Sequence, residues 1–185
     1  MGALTRTERH DAGKTDLTVP QSRQYLIFKS VGEQFAVGIV SIKEIIEYRD
    51  ATSVPMMPAY LRGVINLRGR VVPVIDLAVR FGRAGTEVSR RTCIVILEVE
   101  YNDELQYLGI MVDAVSAVLD IADTDIEPPP SFGAGLRSDF ISGMGKIDEQ
   151  FVIILDINHV LSVEELSSLD VHVAPPTNED GIVPH

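Results

Sequence analysis

The chain has 185 residues with a formal net charge of −11, a hydrophobic fraction of 45% and 23% charged residues. That balance excludes a wholly disordered chain, and the length holds one domain or two small ones with a core that needs no staples. A lone Cys93 excludes an internal disulfide, and the absence of an apolar leader or an ~18-residue apolar run argues against secretion or membrane spanning; a reducing cytosol is expected.

Residues 1–23 are polar and aperiodic and read as a flexible N-terminal tail. Short apolar runs rich in β-branched residues then follow: Tyr25–Phe28, Phe35–Ile39, Val71–Ile75, Thr92–Val99, Leu105–Val112 and Phe151–Leu155. Bounded by Gly, Asp and Asn, they predict strands of an all-β barrel or sandwich. Ile42, Ile45 and Ile46, like Val115, Val118 and Leu119, have helix-like spacing. Asp76 ahead of Leu77–Gly82 and Asp156 ahead of Ile157–Leu161 read as helix caps, the second helix continuing through Ser162–Leu169. Pro73 predicts an edge strand or a bulge. Cys93 begins an apolar run and reads as a buried structural thiol, and residues 127–135, with Pro128, Pro129 and Pro130, read as an unpaired linker. Residues 170–185 read as a flexible C-terminal tail.

Two stretches repeat at a constant spacing. Gly63 through Asp76-Leu77 matches Gly143 through Asp156-Ile157, each residue 80 positions on. The chain therefore reads as two related β modules that share a core.

Charge is uneven along the chain. Residues 1–59 carry seven basic and seven acidic side chains, residues 60–91 seven and two, and residues 92–185 two and 18. The basic middle is all arginine (Arg62, Arg68, Arg70, Arg80, Arg83, Arg90, Arg91), which reads either as a docking region or as a solvated surface. A small barrel binding nucleic acid through these arginines is an alternative, opposed by the acidic total, the absence of Trp and the scarcity of stacking aromatics. No catalytic pair, phosphate loop or metal-ligand spacing is present: His159 reads as a surface or cap-side imidazole, and Asp120, Asp123, Asp125 and Glu127 as a solvated face. No enzyme activity, cofactor or metal is expected.

The segment Pro58-Ala59-Tyr60-Leu61-Arg62-Gly63-Val64-Ile65-Asn66-Leu67-Arg68-Gly69-Arg70-Val71-Val72-Pro73-Val74-Ile75-Asp76-Leu77 resembles the signature of the CheW-like chemotaxis coupling proteins. Phe35-Ala36-Val37-Gly38-Ile39, Ile42-Lys43-Glu44-Ile45, Gly109-Ile110-Met111-Val112-Asp113-Ala114-Val115, Ile141-Ser142-Gly143 and Ile153-Ile154-Leu155-Asp156 are similar to it in order. The resemblance implies a domain over residues 24–166 built of two intertwined SH3-like five-stranded β-barrels on a shared hydrophobic core. It implies a cytoplasmic, non-enzymatic adaptor that couples chemoreceptor tips to the regulatory domain of the histidine kinase CheA and helps assemble receptor–kinase arrays. Relatives also serve non-flagellar chemosensory pathways. Carried over residue by residue, it places receptor or kinase contact at Arg68, Ile42, Glu44 and Arg62. For Arg68 the other reading is a hairpin residue bonded to neighbouring carbonyls; for Glu44, a solvated residue on a short helix; for Ile42, a core residue. The expected charge layout is a basic docking region on the first barrel and an acidic second barrel and tail.

Overall fold

The computed structural model describes residues 21–129 and 138–161. Residues 1–20, 130–137 and 162–185, which include most of both tails, much of the Pro-rich linker and the continuation of the second helix, lie outside the described residues. Eleven strands are described: β1 Ser22–Ser30, β2 Glu33–Gly38, β3 Ile42–Glu47, β4 Leu61–Leu67, β5 Arg70–Asp76, β6 Cys93–Tyr101, β7 Glu104–Val112, β8 Ala114–Ala122, β9 Ile126–Glu127, β10 Ile141–Ile147 and β11 Gln150–Leu155. The helices are short, α1 Leu77–Arg80 and α2 Ile157–Leu161. No helix among the described residues is long and apolar enough to cross a membrane.

The strands form a six-stranded sheet in the order β8-β1-β2-β11-β10-β9 and a five-stranded sheet in the order β3-β6-β7-β5-β4. The repeat is visible in three dimensions. β4, β5 and α1 recur as β10, β11 and α2 with every boundary shifted by 80 except the C-termini of β11 and α2, which each differ by one residue. Each copy has a register shift near its start, at Leu61/Gly63 and at Ile141/Gly143. Asp76 N–H donates to Tyr60 C=O as Asp156 N–H donates to Phe140 C=O, both at 2.8 Å. The halves also exchange hairpins. The β1–β2 hairpin of the first half lies between β8 and β11 of the second, and the β6–β7 hairpin of the second lies between β3 and β5 of the first.

Three apolar clusters follow from strand alternation. Ile65, Val72, Val74, Ile94, Ile96 and Met111 fill the inside of the five-stranded sheet, and Tyr25, Ile27, Ala36, Ile121, Val152 and Ile154 the inside of the other. The opposite faces of both sheets, with Phe28, Phe35, Leu97 and Ile110 among them, build the largest cluster between the sheets, joined by Phe140 and by Val160 of α2. The shared core is thus real, and each barrel also has its own.

Several expectations are corrected. The helix-like spacings of Ile42, Ile45, Ile46 and of Val115, Val118, Leu119 belong to strands, β3 and β8. Each strand is bulged against its neighbour, between Ile42 and Glu44 opposite β6 and between Val115 and Ala117 opposite β1. One extra residue flips the alternation, so a period of two becomes a spacing of three on one face. β1 starts at Ser22, inside the stretch read as tail, and Glu127 of the expected linker pairs with Met144. Pro73 is not on an outer strand, since β5 lies between β4 and β7, but the β5–β7 ladder begins only at Val74, so the edge expectation holds locally on the β7 side. Val64 opposite it exchanges both backbone bonds with Thr52, so the Val64–Pro73 pair needs no proline N–H. Cys93 is half-buried, not buried; its Sγ donates to Arg91 C=O at 3.2 Å, and partial burial pushes the thiol up.

Candidate functional site

The Asn66–Arg70 stretch turns the β4–β5 hairpin. Arg68 and Gly69 both have positive φ, +50° and +84°, the geometry of a two-residue turn whose twist suits a hairpin. Asn66 Oδ1 accepts from Gly69 N–H at 2.8 Å and fixes the turn. Glycine fits this backbone freely, whereas an arginine there carries a cost of roughly 1 kcal/mol. Strain of this kind persists where a side chain has work at that position.

Arg68 reaches across to β3. Its two terminal nitrogens donate to the two carboxylate oxygens of Glu44 at 2.9 and 2.7 Å, a bidentate pair. β3 and β4 are the outer strands of the five-stranded sheet and have no ladder between them. The ion pair, together with Arg49 donating to Asn66 C=O at 3.3 Å, bridges this seam. The Glu44 side chain is 25% exposed and that of Arg68 75% exposed, so the guanidinium presents an outer face to solvent. Hydrogen bonding to Arg68 holds the Glu44 carboxyl below the usual carboxylate range, against the opposing effect of desolvation, and the same pair raises Arg68. Glu44 stands on a bulged strand, not a helix. Arg68 bonds a carboxylate across the seam, not neighbouring carbonyls.

The other two expected residues lie elsewhere. Ile42 is half-buried and packs on the shared core, on the far side of the bulge from Glu44. Arg62 stands near the start of β4, about 20 Å of extended chain from Arg68. Its Nη1 lies 3.9 Å from the buried carboxylate of Asp76. Asp76 caps α1 through Ala78 N–H, as expected, and also accepts from Thr86 N–H and Thr86 Oγ1 at 2.9 and 2.7 Å. Its counterpart Asp156 accepts from the exposed His159 at 2.8 Å, the cap-side imidazole expected.

Not all of the arginines serve a docking surface. Arg80 is an internal staple: Nε donates to Val160 C=O at 2.7 Å, while the guanidinium lies 4.7 Å from the Tyr60 ring centroid and 4.9 Å from that of Phe140. Tyr60 and Phe140, like Arg80 and Val160, are 80 residues apart, so Arg80 sits where the two copies meet. The 80-residue spacing alone carries that signal, since it matches both pairs of positions. Arg70 stacks on Tyr107 at 4.6 Å. Nor does charge divide by barrel. The exchanged β6–β7 hairpin puts Glu98, Glu100 and Glu104 in the same sheet as Arg68 and Arg70, and Glu98 pairs with Lys43 at 3.1 Å.

A family model described as the CheW-like domain matches residues 24–165. The chemotaxis protein CheW of Klebsiella aerogenes is 34% identical over 148 residues, covering 80% of this chain and 87% of that protein. The probable chemotaxis protein CheW of Rhizobium etli is 35% identical over 143 residues, covering 77% and 90%. Among solved structures, the scaffolding protein TtCheW from Thermoanaerobacter tengcongensis superposes with a TM-score of 0.68 at 31% identity, over 76% of this chain and 92% of that one. These matches do not favour the nucleic-acid reading. With the signature residues, the duplicated double barrel and the Arg68 hairpin all accounted for, the chain belongs to the CheW-like family of chemotaxis scaffold proteins.

Proposed function

We propose that the chain joins the cytoplasmic tip of a chemoreceptor to the regulatory domain of the histidine kinase CheA, in the cytoplasm and with no chemistry of its own. The observation that carries this reading is the Arg68–Glu44 pair. A strained turn residue holds a bidentate ion pair across an unzipped barrel seam while keeping one guanidinium face free for a partner. Arginine at an interface gives directional, planar contacts, and one that is already oriented loses little entropy on docking. Glu44 then acts on the partner through Arg68, and Ile42 anchors the β3 segment that carries Glu44. Arg62 supports the start of β4 through Asp76 and is a weaker candidate for direct contact.

The test is receptor-stimulated CheA autophosphorylation, reconstituted with receptor-containing membranes. Stimulation is expected to require this protein and to fall severalfold with Arg68→Asn, which keeps a residue suited to the left-handed turn. Circular dichroism of the variant should match the parent. Full stimulation without the protein, or with a folded Arg68→Asn variant, would overturn the proposal.

A further inference from the structure

The five-stranded sheet is not zipped along its whole length. The parallel ladder between β5 and β7 covers only Val74–Asp76 opposite Gly109–Met111. In a parallel ladder each bonded residue serves the two neighbours of its partner, so the next bond would run from Pro73 N–H to Tyr107 C=O. Proline has no N–H to give. At the corresponding place in the other copy stands Ile153, and there the ladder includes it, opposite Phe35. β7 also overhangs: it starts at Glu104, five residues before Gly109, whereas β2 starts at Glu33, two before Phe35.

A cleft of about 340 Å³ opens between the first half of β5 and the overhang of β7, lined by residues that include Arg70, Val71, Pro73 and Tyr107. Its walls carry unused backbone groups. Asn102-Asp103 is a two-residue turn with positive φ at both positions, which makes Tyr101 and Glu104 a bonded pair. By alternation Leu105 and Tyr107 are non-bonded pairs with β6 and aim N–H and C=O at the cleft. On β5 the same alternation from Pro73 leaves Val71 N–H and C=O facing it. Leu105 is 62% exposed and Val71 55%. At the mouth Arg70 lies over Tyr107 and has no ion pair among the described residues, while its neighbours Arg68 and Lys43 are paired with Glu44 and Glu98.

We propose that this cleft is a docking slot for an extended segment of a protein partner, which adds to the free edge of β7 as a strand and presents a carboxylate to Arg70. Donors and acceptors repeating at every second residue are satisfied by another extended backbone, and not by a compact ligand. A cation stacked on an aromatic ring, oriented and without a carboxylate of its own, selects an acidic side chain at that end of the strand. The slot lies between β5 and β7, on the other side of the β4–β5 hairpin from the β3/β4 seam, and does not depend on the adaptor reading.

The experiment uses the full chain and a fluorescein-labelled peptide of alternating valine and glutamate, with alternating valine and lysine as control. Anisotropy is expected to show saturable binding of the acidic peptide only, and amide exchange to show new protection at Leu105 and Tyr107. Arg70→Glu should weaken binding about tenfold. Pro73→Ile restores the missing donor, lets the ladder run on and should abolish binding in a folded protein. Absence of binding to the parent, equal binding by Pro73→Ile, or protection elsewhere would overturn the proposal. Concentration-dependent self-association that protects the same amides without peptide would overturn it too, by making a second copy the occupant.

Discussion

Glu44 and Arg68 make a pH-dependent clasp whose direction follows from the shift. The folded-state Glu44 carboxyl lies below its ordinary value, so the clasp contributes above the ordinary range and is lost as pH falls through the depressed one. Thermal melts of the parent and Glu44→Gln should therefore differ at neutral pH and converge in acid. A gap of equal size in acid would mean that glutamine disturbs packing and not the ion pair. Glycine makes the second residue-level case. Gly63 has φ +149°, and a Cβ there would lie 2.3 Å from Thr52 C=O, the backbone that bridges β4. At the equivalent Gly143 a Cβ would meet the Ile126 side chain at 2.8 Å and Glu127 C=O at 3.1 Å. Gly63→Ala is expected to cost roughly 3 kcal/mol in urea unfolding and Gly143→Ala clearly less, because the carbonyl at Gly63 is far closer and its φ is positive, while at Gly143 the nearest atom is a side chain that can yield. Equal losses would refute that distinction. Sequence alone marked both glycines as members of matched units, but how closely each approaches a backbone oxygen depends on the segment folded over it.

Strands announced themselves where alternation was unbroken. β1, β2, β5, β6, β7 and β11 are legible as apolar runs, and both Asp caps as caps. β3 and β8 were not, because a bulge displaces alternation by one residue and imitates a helical period. The candidate site was half legible for a related reason. Arg68 and Glu44 were both named, but their pairing across an unzipped seam is long-range and leaves no local pattern. Arg80 is the clearest element-level omission: it looked like one arginine of a basic surface and instead ties α1 to α2. Replacing it by methionine keeps length and packing while removing the donor to Val160 and the charge between Tyr60 and Phe140. Arg80→Met should cost roughly 2 kcal/mol, read by chemical denaturation, with accelerated amide exchange concentrated in α2. Unchanged exchange in α2 would show that the staple does not hold the helix.

At the scale of the molecule, the exchange of hairpins decides how the halves depend on one another. Neither half owns a complete sheet. Without β8–β11 the β1–β2 hairpin loses both neighbours, and without β6–β7 the five-stranded sheet falls apart into β3 and the β5–β4 pair. The largest apolar cluster likewise draws Phe28, Phe35 and Phe81 from one half and Val95, Ile110 and Phe140 from the other. A lone hairpin or pair is marginal in water, and the apolar surface left open would outweigh what remains buried. The Thr86–Asp76 bonds, which tie the connection between the halves to the end of β5, would also be left holding a free chain end. Expressed separately, residues 1–91 and 92–185 should each lack dispersed amide resonances, while mixing them should restore the native spectrum. A dispersed, cooperatively melting spectrum from either half alone would show that the repeat folds as an autonomous module. The intact chain is expected to melt in a single transition, because no division of the sequence separates one barrel's strands from the other's.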